Sequence, residues 1–127
     1  MTEFTSIANC GNSPKMQLIE AFHRANAHVD KQTLLDMVTD DFQWDLIGSQ
    51  SIYGKANFDS YLDALAEDMS IATYSLHTVL SHGRHGSANG EVQTVDGARM
   101  AFCDMIEFAN AKGTQIKRIR RYLVPLT

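Results

Sequence analysis

Two aspartates stand out by their surroundings. The segment from Arg99 to Phe108 alternates like a strand, and the alternation puts Asp104 on the face that carries Met100, Phe102, Ile106 and Phe108. A carboxyl among bulky apolar side chains loses hydration, which disfavours its charged form. Such a group can stay protonated near neutral pH and donate a hydrogen bond. A core aspartate can equally be satisfied by an arginine or a backbone amide, and the residues alone leave both readings open. Asp45 lies in a shorter strand-like stretch, with Trp44 and Leu46 on the opposite face. It could act as a general base if it reached a substrate proton, or simply cap the turn that follows.

His77 alternates with Val79 on one face of a later strand, where a lone histidine is more often a structural donor than part of a working site. His82 and His85 flank a turn. His23 and His28 fall off the apolar stripe of the first helix, so both are expected at the surface. Arg121 shares a strand face with Ile119 and Leu123, where an arginine needs a carboxylate partner, a substrate anion or the sheet rim. No two histidines have metal-ligand spacing with a third partner, so no metal is expected. There is no glycine-rich phosphate loop and no nucleophile elbow, which removes support for nucleotide binding and covalent catalysis.

The elements that must position these residues follow from the pattern. The 127 residues suit one domain and can bury a core without staples. A formal charge of −4 argues against a nucleic-acid binder. Cys10 and Cys103 are the only cysteines and read as free thiols in a reducing cytoplasm. Met1 to Ser13 lacks a basic stretch followed by an apolar run, and no segment is apolar for long enough to span a membrane.

Residues 1–12 read as a loose arm, and 13–127 as a single domain. Ser13-Pro14 starts a helix to about residue 28, with Leu18, Phe22, Ala25 and Val29 as its stripe. Asp30 caps a shorter helix. Phe42, Trp44 and Leu46 mark a short strand, and Gly48 to Gly54 a loop. Phe58, Tyr61, Leu62, Leu65 and Met69 form the stripe of a third helix. Period-two segments follow at 73–82, 87–95, 99–109 and 115–124, with Asp96-Gly97 as a hairpin turn. Helices followed by antiparallel strands make an α+β layer.

This order resembles the nuclear transport factor 2-like superfamily, in its SnoaL-like and ketosteroid isomerase-like branch. The resemblance covers about residues 14–124. Its most specific parts are Asp40-Asp41-Phe42-Gln43-Trp44-Asp45 and Ile52-Tyr53-Gly54-Lys55 ahead of the third helix. It implies a cystatin-like cone: three N-terminal helices packed on a curved antiparallel sheet that encloses a pocket. It also implies roles. Asp45, nine residues before Gly54, matches the isomerases' general base. Asp104 matches their second aspartate, kept protonated in an oxyanion hole. His77 falls near a histidine that partners an aspartate in related dehydratases. The isomerases' oxyanion tyrosine falls at Phe22, so Tyr122, Tyr74 or His77 would have to replace it. Phe22, Trp44, Met100, Phe102 and Arg121 are then the substrate-binding residues.

Two functions remain open at this level. One is a cofactor-independent enzyme, an isomerase, dehydratase or cyclase, moving a proton on a small apolar carbonyl or hydroxyl compound. The other is a non-catalytic domain of the same fold that binds a small ligand or dimerises, with both aspartates ionised. Either way a cytoplasmic homodimer is expected, because Ala101, Cys103 and Met105 make the outer sheet face apolar too.

Overall fold

The computed structural model describes residues 2–126 except Met69, so the last residue of the expected third stripe lies outside the described residues. The elements run β1 (Glu3–Ser6), α1 (Pro14–His28), α2 (Lys31–Asp36), β2 (Val38–Leu46), β3 (Gln50–Tyr53), α3 (Lys55–Asp68), β4 (Ile71–His82), β5 (His85–Thr94), β6 (Arg99–Phe108) and β7 (Ile116–Leu126).

Local chemistry sets the boundaries. Ser13 caps α1, its hydroxyl accepting from the Met16 amide, with Pro14 behind it. Asp30 caps α2 in the same way through Thr33. Gly97 sits at φ 94° in the turn between β5 and β6, a conformation that only glycine adopts without strain.

The strands form one sheet in the order β1-β4-β5-β6-β7-β2-β3. The expected cone is not formed. The sheet is open and not strongly curled: its end strands, β1 and β3, each pair with a single neighbour, so no ring of hydrogen bonds closes. Nor is it purely antiparallel, since β1 runs parallel to β4 and β2 parallel to β7. Both end strands lie where no strand is expected from the sequence. β1 falls in the supposed arm and β3 within the supposed loop of residues 48–54. Each is four residues long, too short for alternation to show.

The core lies between one sheet face and the helices, around Ile19, Phe22, Leu34, Phe42, Trp44, Phe58, Leu62, Ile106 and Ile119, all essentially buried. One close approach shapes the site. Phe102 on β6 pairs with Gly90 on β5, and a Cβ at Gly90 would come within 1.9 Å of the Ser75 carbonyl and 2.8 Å of the Phe102 ring. Glycine there leaves room for the Phe102 ring and the Ser75 carbonyl.

Candidate functional site

Asp104 and Arg121 face each other across β6 and β7 on the inner, helix-facing side of the sheet. Their contact is a two-pronged ion pair. Arg121 Nε donates to Oδ1 at 2.8 Å and Nη2 to Oδ2 at 2.9 Å. From α1, the His23 ring adds a third contact, Nε2 to Oδ2 at 2.7 Å. All three groups are buried, Asp104 and His23 completely. The guanidinium is held between aromatic faces, its carbon 5.0 Å from the Trp44 ring centre and 4.7 Å from that of Phe102. Phe102 also stacks on His23 at 5.5 Å.

Burial pushes the Asp104 pKa up, but the charge and hydrogen bonds of Arg121, with the hydrogen bond from His23, outweigh it and hold the carboxyl at about 2. Asp104 is therefore ionised and accepts at both oxygens. The neutral, donating carboxyl that the resemblance implied is not what this environment favours. Arg121 in turn stays firmly charged, since the Asp104 carboxylate outweighs its desolvation.

A cavity of about 170 Å³ adjoins this cluster, between α1, α3 and strands β4 to β7. Its apolar wall includes Tyr61, Leu65, Ile71, Val92 and Met100, and its buried polar end is Asn26, Tyr74 and Arg121. Tyr74 Oη accepts from Arg121 Nη2 at 2.9 Å and from Asn26 Nδ2 at 3.4 Å. Burial raises the Tyr74 pKa further, so its hydroxyl keeps its hydrogen. The third guanidinium nitrogen, Arg121 Nη1, has no acceptor among the described residues. Among those residues only Trp44 Nε1 is a sealed, unpartnered side-chain polar atom. Nη1 is thus not sealed, and it belongs to a side chain that lines the cavity.

Asp45 is elsewhere. It lies on the outer face of the sheet, where it accepts from Gln43 Nε2 at 3.0 Å and from Arg118 Nε at 2.9 Å. Trp44 occupies the inward position beside it, packed against Phe22 and Phe58. Burial raises the Asp45 pKa, but bonds from Arg118, Gln43 and Ser51 more than offset this and leave it below the usual carboxylate range. It is covered by polar neighbours rather than by the core.

Of the expected site residues, Asp104, Arg121, Trp44, Phe102 and Met100 come together. Only Arg121 and Met100 line the cavity. Phe22 is a core residue against Trp44 and His23. His77 is exposed, because a register shift between Leu76 and Thr78 turns it outward while Leu76 and Val79 both face in. The expectation that His23 sits on the surface is overturned. The buried stripe of α1 runs Ile19, Phe22, His23 and Asn26, the i, i+3, i+4, i+7 pattern, one step round the helix from the stripe read in the sequence. Counting polar residues that fit this spacing would have found His23 and Asn26. Of the three possible replacements for the missing tyrosine, Tyr74 alone reaches the cluster.

Among the described residues no group of three His, Cys, Asp or Glu side chains could hold a metal ion, and no helix is long and apolar enough to cross a membrane.

A family model described as a SnoaL-like domain matches residues 18–118. No curated protein sequence matches. Among solved structures, an NTF2-like protein of unknown function from Cytophaga hutchinsonii superposes with a TM-score of 0.70 at 19% identity, covering 87% of this chain and 99% of that one. A protein from Kribbella flavida provisionally assigned as a ketosteroid isomerase gives 0.74 at 12% identity, covering 89% and 79%. A protein of unknown function with a cystatin-like fold from Methylobium petroleophilum gives 0.74 at 10% identity, covering 91% and 80%. At these identities the likeness is one of fold.

Proposed function

This chain belongs to the SnoaL-like domain family, and from that premise we propose that it binds a small, largely apolar molecule in the cavity beside Arg121 and Tyr74. The observation that carries this reading is the cavity's construction: an apolar wall with one polar end that is already rigid. Arg121 is held by Asp104 and Tyr74 before any ligand arrives, so binding loses little side-chain entropy there.

The proton-transfer reading has less support. It requires a base that reaches the ligand, and Asp45 lies across the sheet, bonded to Arg118. Asp68 is the only carboxylate among the described lining residues; it is exposed and accepts from Ser70.

Methyl-observed NMR during titration with toluene tests the binding site. Val92, Leu65, Ile71 and Met100 signals should move together and saturably. Val92→Phe, which fills the cavity, should abolish the shifts. Movement of surface methyls only would refute the assignment.

We also propose that a second copy covers the outer face. Leu80, Met105, Tyr122 and Val124 are exposed there beside Cys103, and a face this apolar is better buried than hydrated. A single monomeric species in sedimentation at micromolar concentration would count against it.

A further inference from the structure

We propose that the cavity is built for an anionic head group: a carboxylate carried on an apolar body about the size of one six-membered ring. This rests on the cavity being the ligand site, and it names the class of ligand.

The first argument is a proton count. His23 Nδ1 lies 2.8 Å from the Ile19 carbonyl oxygen, which can only accept, so Nδ1 carries a hydrogen. His23 Nε2 lies 2.7 Å from Asp104 Oδ2. An ionised Asp104, gripped at both oxygens by Arg121, can only accept as well, so Nε2 also carries a hydrogen. The geometry thus asks for a hydrogen on each ring nitrogen. If the second proton sat on Asp104 instead, the cluster's charge would be the same. Two positive groups, or their equivalent, face one carboxylate, which leaves one positive charge over in a buried site. An uncompensated buried charge is costly, and a bound anion relieves the cost.

The second argument concerns donors. Arg121 Nη1 meets no acceptor among the described residues and is not sealed, on a side chain that lines the cavity. Tyr74 Oη accepts from both Arg121 and Asn26, so its own hydrogen is also without an acceptor there. Turning the Asn26 amide over would satisfy the tyrosine but free an N–H₂ in its place. At least two donors therefore converge at the buried end of the cavity. That set matches the two oxygens of a carboxylate. The only other charged side chain among the described lining residues, Asp68, is exposed at the rim.

The third argument is size. An apolar cavity of about 150 Å³ holds benzene, and this one measures about 170 Å³. A single ring with a carboxylate is of this size.

The experiment is calorimetric titration of the wild-type protein with benzoate and with its neutral isostere benzamide, followed in parallel by methyl NMR. Benzoate should bind at least about tenfold tighter. In His23→Gln, which keeps a donor to Asp104 and removes the ring's charge, that preference should shrink several-fold. A long-range proton–nitrogen NMR spectrum of the wild-type His23 ring at neutral pH should show both nitrogens protonated, or, if Asp104 holds the second proton, its carboxyl carbon shifted to the protonated position. Equal or tighter binding of benzamide would overturn the anion inference and leave the ligand site standing. A singly protonated ring beside an ionised Asp104 would overturn it too. If neither compound nor toluene moved the Val92, Leu65 and Met100 methyls, the ligand site itself would be wrong.

Discussion

The same sheet carries two aspartate–arginine pairs, one on each face, and they sit in opposite environments. Asp104–Arg121 lies under the helices, walled by Trp44, Phe102 and Tyr74, with Asp104 fully buried and Arg121 8% exposed. Asp45–Arg118 lies on the outer face, where Asp45 is itself 4% exposed but its partner Arg118 has a side chain 33% exposed. The chemistry of the two contacts is similar, since each aspartate accepts from an arginine at less than 3 Å. What differs is what happens when a partner is lost. On the outer face water can replace it. On the inner face nothing can, so the pair is part of the architecture that sets the cavity's polar end.

The largest expected effect is that of breaking the inner pair. Asp104→Ala leaves Arg121 charged and buried and should lose ~3–5 kcal/mol of stability in urea denaturation. A loss below ~1 kcal/mol would erase the distinction between the faces. Removing both inner charges should be far milder. Asp104→Leu combined with Arg121→Met should be more stable than Asp104→Ala by roughly 2 kcal/mol or more, because no unpaired charge remains on the strands.

Next is Gly90→Ala, which leaves all charges in place. The added methyl collides with the Ser75 carbonyl and Phe102, and overpacking of this kind costs ~1–3 kcal/mol. The Phe102 and His23 ring signals should shift with it, because the two rings are stacked.

Acid offers a further contrast. In the folded protein Asp104 has a pKa of about 2, below the value of about 3.9 for a free aspartate. Its contribution to stability is thus complete above about pH 5 and is lost as pH falls from there toward 2. Asp45 is also held low, so it has the same sign. Urea midpoints at pH 7, 4 and 2.5 should fall more steeply for the wild type than for the inner double variant. Parallel curves would mean that Asp104 is not the source.

The smallest effect belongs to the outer pair. Asp45→Asn should cost no more than ~1 kcal/mol and leave the shifts of the cavity methyls on ligand titration unchanged. If it abolished binding or any turnover found for this protein, Asp45 would be acting across the sheet, and the contrast between the two faces would collapse.

Much of this molecule follows from local pattern. The Ser13-Pro14 cap, the Asp96-Gly97 hairpin, the long strands and the inward face of Asp104 all depend on neighbours within a few residues, and they are legible without a structure. So is the alternation that sets Asp45 opposite Trp44. The family resemblance invited the two acids to converge, but with Trp44 facing inward Asp45 must face out. What local pattern cannot carry is the identity of partners distant in the chain. Arg121 meets Asp104 because β6 and β7 pair in one register, and His23 reaches the same carboxylate across 81 residues because α1 lies over that part of the sheet. The short strands β1 and β3, the open sheet and the outward turn of His77 at a bulge likewise depend on which strands pair. Residue order alone settles the main elements and the chemical types on each face. What holds the buried carboxylate low is decided only in the folded molecule, because it depends on an arginine and a histidine delivered from elsewhere in the chain.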